Sequence, residues 1–466
     1  MFGLVISQFI TLAILTRLLT PSDFGLVGMI IVVIGFAQAF ADVGISNAII
    51  YRQNITINEL SSLYWLNIFA GLGIFSALCA CTPLVIAFYH EPRLNNLLYL
   101  ASVSFLIMPL GQQFQALLQK ELQFGRLAKI EIIGSCTNSM VSVILSFSGY
   151  GAIALIWGHL AGTSIRTAIL LRYGLSRWRP KRYFARNDLK GYLSFGLYQM
   201  GERTVNYFNS NLDSLLIGWL LGAKSLGFYM LAYNLALKPL SFINPVIARV
   251  AFPVFSKIQD DTLRLRRGYL KMLRLLSLVN FPVMVGLASV SMVAVPCIFG
   301  SKWLPSVLLV QLLAIVGLLR SFSNPVGALI MAKGRADLGF MWNTVIIITQ
   351  IPGLYLGVMV GGMVGVVVAL AILNALYIMI EYRLFIKNLL GSCLREYSYT
   401  LWPALWMSAI MALSLFVIRI SFGTFSRTSL LIIQIVGGFT AYVGLIFYFQ
   451  RVLLFEIRDK VFYRKA

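Results

Sequence analysis

Gln199, Glu202, Asn206, Asn209 and Asp213 recur along one otherwise apolar stretch at steps of 3, 4, 3 and 4. That spacing places them on a single face of an α-helix. Lipid cannot solvate such a stripe, so it must face protein or water. Further cations follow in later apolar stretches: Lys238 on one face with Asn234 and Ser241, then Arg249 after Pro245, and Arg320 at the head of an RSFSNP run. Arg203 adjoins Glu202, about 100° round the helix, and Asp42 interrupts the second apolar stretch. A cavity lined by such cations suits a phosphate or pyrophosphate, because guanidinium pairs two phosphate oxygens at once. Arg203, Lys238, Arg249 and Arg320 are the candidate substrate cations, with Gln199, Asn206 and Asn209 as neutral companions. Glu202, Asp213 and Asp42 are the candidates for coupling to a proton or sodium ion, since burial moves a carboxyl toward its working range. Taken singly, Asn206 or Asn209 reads as an interhelical hydrogen-bonding residue; the cluster of charges argues for a hydrated cavity. Arg166 and Glu131 fall near the ends of their stretches, where snorkelling suffices.

Other chemistries find no foothold. His90 and His159 are the only histidines and are far apart, which leaves no basis for a histidine metal site. The five cysteines are scattered, and Cys79-x-Cys81 lacks the CxxC spacing of a redox or zinc motif. Phosphate-loop, zinc-protease and nucleophile-elbow motifs do not occur. A non-enzyme without cofactor or metal is expected.

The elements that must position these residues are membrane spans. With 59% hydrophobic and 12% charged residues, the chain departs from soluble composition, in which about 25% of residues are charged. Fourteen stretches, from 2–19 to 428–450, approach the roughly 20 apolar residues a bilayer requires. Met1 leads straight into Phe-Gly-Leu-Val without a basic n-region, so the first stretch reads as an uncleaved span. The net charge of +22 would suggest nucleic acid in a soluble domain, but the basic residues alternate loop by loop. Counting from a cytoplasmic start, 26 fall on the inner side and six on the outer. That asymmetry places both termini in the cytoplasm and makes membrane lipid, not nucleic acid, the partner.

The spans repeat. Leu18-Leu19-Thr20-Pro21-Ser22-Asp23-Phe24-Gly25-Leu26 is echoed 202 positions on by Leu220-Leu221-Gly222-Ala223-Lys224-Ser225-Leu226-Gly227-Phe228. Ala116-Leu117-Leu118 matches Ala328-Leu329-Ile330, and Gly151 is expected to match Gly365. Internal repetition in a polytopic chain reads as two lobes with a pathway between them. The expected fold is an all-α polytopic membrane protein, with about 14 transmembrane helices in two pseudo-symmetric bundles plus two peripheral C-terminal helices. The expected units are a six-helix lobe at 1–172, a basic linker at 173–191, a second six-helix lobe at 192–390, and two added helices with a basic tail at 391–466. The linker, rich in Arg and Lys, reads as a solvated cytoplasmic loop with some capacity for anionic headgroups. Lys257–Lys271 reads as a short amphipathic surface helix.

Several stretches resemble a known group: LTRLLTPSDFGLV, DVGISNAI, LQKELQFGRLA, the long run from SFGLYQMGERTVNYFNSNLD to FYMLAYNLA, FPVFSKIQDD and GSKWLPS. In order and over nearly the whole chain they are similar to Wzx-type polysaccharide flippases of the multidrug/oligosaccharidyl-lipid/polysaccharide exporter superfamily. The resemblance implies a bacterial inner-membrane transporter that flips an undecaprenyl-diphosphate-linked oligosaccharide by alternating access through a cationic cavity. Two rivals are weighed against it. A cation-coupled multidrug antiporter of the same superfamily is disfavoured by the excess of basic groups in the spans. A polytopic glycan polymerase or ligase is expected to carry a large catalytic outer loop.

Overall fold

The computed structural model describes residues 2–41, 49–50, 52, 55–189 and 192–450, and every regular element among them is helical. The first six long helices are α1 (Phe2–Leu18), α2 (Pro21–Ala41), α3 (Ile57–Tyr89), α4 (Leu94–Lys120, kinked at Val103), α5 (Phe124–Phe147) and α6 (Ala152–Leu175). A continuous helix Tyr192–Ala236 is broken at Gly222, where φ is 78°, giving α7 (192–221) and α8, which bends at Leu237 and resumes as Lys238–Lys257. Next come α9 (Thr262–Ala294) and α10 (Pro305–Ala332). Ala336–Glu381 breaks at Gly361 and Gly362 into α11 (336–360) and α12 (363–390), followed by α13 (Leu394–Ser421) and α14 (Arg427–Phe449). Among the described residues, eleven helices are long and apolar enough to span a bilayer. Resolving the two internal breaks and adding the shorter α1 yields the fourteen passes expected from sequence.

Helix ends follow local chemistry. Thr20 and Asp23 exchange hydrogen bonds at the start of α2, and Thr56 and Glu59 form a full capping box on α3. His90 closes α3 in the left-handed region at φ 55°. Corresponding devices recur in the second half. Asp261 caps α9 as Thr56 caps α3, and both helices are 33 residues long. After α4 the chain turns through Leu122 at φ 55°; after α10 it turns through Gly334 at φ 69°. Lys120 Nζ donates to Arg52 O (2.5 Å) as Lys333 Nζ donates to Gln259 O (2.6 Å). The backbone pairs Gly151 (φ 57°, ψ −138°) with Gly362 (φ 57°, ψ −135°), not with Gly365 as the sequence suggested.

Two compact units emerge, Met1–Met230 and Leu231–Ala466. In the first, α6 packs on both α5 and α4, over a core of Tyr64, Phe114, Leu118, Ile130 and Leu170. In the second, α9 is the central helix, contacting α10 and α13 through Tyr269, Leu273, Leu276 and Phe281. α13 is joined to it through fully buried Ala404 and Met407, and Tyr442 of α14 donates to Leu278 O (2.8 Å).

Two local expectations fail. Lys257–Lys271 is no surface helix: α8 ends at Lys257, a turn follows, and Thr262 begins α9 without interruption. The Asp261 cap starts the long helix early because its side chain satisfies the Arg264 N–H (3.0 Å). The linker is not loosely solvated either. It is strapped along α3 by hydrogen bonds from Lys181 N to Ser61 Oγ, Ala185 N to Ser62 Oγ, Ser62 Oγ to Asp188 Oδ2, and Trp65 Nε1 to Lys181 O, all 2.9–3.1 Å.

Candidate functional site

In the second unit a cavity of about 520 Å³ opens among α8, α10, α11 and α12. Its polar lining is Ser241, Asn244, Arg320, Ser323, Asn343 and Glu381, on apolar walls that include Leu240, Val326 and Ile346. Arg320 lies within α10 next to Ser321, whose buried hydroxyl accepts from Asn280 Nδ2 (3.1 Å). Asn280 also donates to Asn244 Oδ1 (3.1 Å), which ties α9 to the cavity wall. Glu381 is 6% exposed, and Trp342 Nε1 donates to its Oε1 at 2.8 Å. Ser323 is a second hydrogen-bond partner of that carboxyl. The arrangement offers a guanidinium, a carboxyl and several neutral donors in one concave, partly apolar space.

Arg320, a candidate from the sequence, therefore lines a polar cavity. Lys238 is exposed at the start of the second segment of α8, and its neighbours Leu237 and Ser241 line the cavity. Glu381 was not foreseen. It closes an apolar span beside Tyr382-Arg383 and looks interfacial in sequence; only the fold brings Trp342, 39 positions earlier, against it.

The α7 stripe is not uniform. Asn206 is exposed, Asn209 and Arg203 are half-buried, and Asp213 is 3% exposed. Asp213 Oδ2 accepts from the Tyr229 hydroxyl (2.5 Å) and Oδ1 from Ser214 N (2.6 Å), so this carboxylate braces the joint between α7 and α8. The side chains of Gln199, Glu202 and Arg249, and all of Asp42, lie outside the described residues.

A second polar cavity of about 220 Å³ lies in the first unit among α1, α5 and α6, lined by Gln8, Glu131, Ser135, Asn138, His159 and Arg166. Arg166 Nη1 reaches both Glu131 oxygens, at 2.9 and 3.0 Å. The pair that read as two snorkelling side chains is an ion pair, because α5 and α6 pack face to face and bring positions 35 apart together. A third cavity, of about 380 Å³ among α2, α3 and α7, is walled by hydrocarbon and aromatic rings such as Phe36, Phe88 and Phe208. No group of three His, Cys, Asp or Glu among the described residues could hold a metal ion.

Residues 14–308 match the family model described as Polysaccharide biosynthesis protein. The chain is 36% identical over 399 residues to the lipopolysaccharide biosynthesis protein WzxC of Escherichia coli, covering 86% of this chain and 81% of the relative. It is 36% identical over 445 residues to the teichuronic acid biosynthesis protein TuaB of Bacillus subtilis, covering 95% and 92%. In fold it is similar to the lipid II flippase MurJ in an inward closed conformation, with a TM-score of 0.75, 18% identity, and coverage of 97% of this chain and all of that one.

Proposed function

Because the chain belongs to the polysaccharide biosynthesis protein family, we propose that it is a transporter, not an enzyme, and that it carries a lipid-linked oligosaccharide from one membrane leaflet to the other during surface-polysaccharide assembly. The finer reading is that the carrier is undecaprenyl diphosphate and the membrane the bacterial inner membrane. An even number of passes would leave both termini on one side, and the basic asymmetry of the loops supports the cytoplasm as that side. The six-helix sets at 1–172 and 192–390 alternate about the linker at 173–191, with 391–466 as an addition to the second.

One observation carries the substrate class: Arg320 lines a polar cavity at span depth. A diphosphate brought there exchanges water for a guanidinium and the amides of Asn244 and Asn343, and a charge-assisted hydrogen bond is stronger than a neutral one. Lys238, whose neighbours Leu237 and Ser241 line the cavity, is the second cation of this reading. Coupling to H+ or Na+ requires a carboxyl that a cation can reach. Asp213 is buried between Tyr229 and Ser214, whereas Glu381, although bonded to Trp342, lines the cavity, so it is the better candidate.

The test is Arg320→Gln in proteoliposomes containing a fluorescent polyprenyl-diphosphate sugar, with leaflet exchange read by an impermeant quencher. Losing a charged hydrogen-bonding partner is expected to slow exchange about 10- to 100-fold at unchanged protein incorporation. Normal exchange in Arg320→Gln and in Lys238→Gln would remove the cationic-cavity reading.

A further inference from the structure

The strap between α6 and α7 has surface chemistry that the transport reading does not use. Its hydrogen bonds to Ser61, Ser62 and Trp65 fix its course along α3. Held this way, Phe184 meets Phe69 edge to face at 6.3 Å, and both rings are exposed, as is Tyr183. Phe69 lies on the apolar wall of α3, four residues further along the span than Trp65. The strap thus sets two aromatic rings beside the exposed apolar face of α3.

Arg182 and Arg186 flank these rings in the strap, and Arg172 lies in the last turn of α6 that leads into it; all three are exposed and without a hydrogen-bond or ion-pair partner among the described residues. The acidic groups nearby are already engaged. Asp188 accepts from Ser62, Glu121 pairs with Arg177 at 2.6 Å, and Glu59 caps α3. Lys181 is occupied by Asn58 Oδ1 at 3.3 Å. Topology needs basic residues on this side, but it does not need them on a fixed backbone beside exposed rings. Aromatic rings favour the headgroup level of a bilayer, and basic residues beside them attract anionic headgroups.

We propose that this strap is a docking site for the phosphate headgroups of anionic bilayer phospholipids, with Tyr183 and Phe184 seated between the upper acyl segments and Arg172, Arg182 and Arg186 on the phosphates. The site rests on the membrane-spanning fold and is independent of the oligosaccharide reading. By clamping lipid against α3, it holds the first unit at a fixed depth while other helices move.

The experiment titrates the full chain in a neutral detergent with dioleoylphosphatidylglycerol, with dioleoylphosphatidylcholine, and with a short polyprenyl diphosphate, counting adducts by native mass spectrometry. The variants are Arg172→Gln/Arg182→Gln/Arg186→Gln and, as a control elsewhere, Arg395→Gln. Phosphatidylglycerol is expected to bind more tightly than phosphatidylcholine. The triple variant is expected to lose about fivefold in affinity per arginine removed, while Arg395→Gln keeps the adduct. Equal binding of both phospholipids, an undiminished phosphatidylglycerol adduct in the triple variant, or a loss confined to the polyprenyl diphosphate would each overturn the proposal. All the substitutions are at exposed side chains, and a melting temperature equal to that of the parent confirms that the fold is intact.

Discussion

Gly25 and Gly227 pack against one another's turns in a reciprocal contact: a Cβ on Gly25 would fall on the carbonyl oxygen of Ala223, and a Cβ on Gly227 on that of Pro21. The four residues form two equivalent pairs 202 positions apart in the repeat, Pro21 with Ala223 and Gly25 with Gly227, and each contact joins a member of one pair to a member of the other. This is the geometry of a local two-fold axis, in which i meets j′ and j meets i′. The two copies of one turn thus act as each other's binding surface. Gly25→Ala and Gly227→Ala are expected to destabilise the protein to similar extents, by about 1–3 kcal/mol each, as overpacking does. Gly73→Ala, where a Cβ meets nothing within 4 Å, serves as the reference. Melting temperatures in detergent check this; a Gly25→Ala protein as stable as Gly73→Ala would contradict the contact.

The repeat, the number of spans and the polar faces could be read from sequence because they depend on local spacing. Apolar runs, a leucine pair before a turn and a 3-4-3-4 polar stripe all leave a periodic trace. What escaped depends on distant partners. Glu381 needs Trp342, and Arg166 needs Glu131; each lone residue looks like an interfacial charge until helix packing supplies the other. Asp213 was legible as a membrane carboxylate but not as a brace, because Tyr229 lies beyond the break at Gly222. The linker's order was hidden for the same reason, since serines at 61 and 62 carry no sign of receiving a strand of backbone 120 positions away.

The loop after α3 should give the fold a measurable pH dependence. Glu91 accepts two hydrogen bonds from Arg93, each 2.8 Å, and Arg93 also reaches Ser22 on the first turn of α2. The hydrogen bond to Arg93 holds the Glu91 carboxyl below its ordinary value, against a smaller opposing effect of burial. A carboxyl whose folded-state pKa is depressed adds stability that is present above its unfolded pKa and is lost as pH falls through the folded one. Glu91→Gln is therefore expected to melt below the parent at neutral pH, with the gap closing as pH falls below about 4. A gap that stays constant across that range would show that the ion pair contributes nothing.

Orientation is open to direct labelling. With the native cysteines replaced, Arg182→Cys and Lys302→Cys each present a thiol at an exposed position. An impermeant maleimide added to intact cells is expected to label position 302 and to reach position 182 only after the cells are broken. Labelling of position 182 in unbroken cells would invert the topology, and the assignment of the strap to the cytoplasmic leaflet with it.

The final prediction separates holding from coupling at Glu381. Its Oε1 accepts the indole hydrogen of Trp342 in a buried setting. Glu381→Gln keeps an oxygen there and changes little but the charge, so protein abundance in the membrane should stay near the parent level. Glu381→Ala leaves the indole N–H without an acceptor, at a cost of about 1–3 kcal/mol, and abundance should fall. If the carboxylate takes up the coupling cation, Glu381→Gln should still bind substrate through Arg320 yet lose its response to an imposed gradient. The measurement is leaflet exchange in proteoliposomes with and without an inward proton or sodium gradient. The parent is expected to accelerate with one of the two gradients and Glu381→Gln with neither. Acceleration of Glu381→Gln to the parent's extent would confine Glu381 to a structural role beside Trp342 and send the search for the coupling carboxylate back to Glu202 and Asp42.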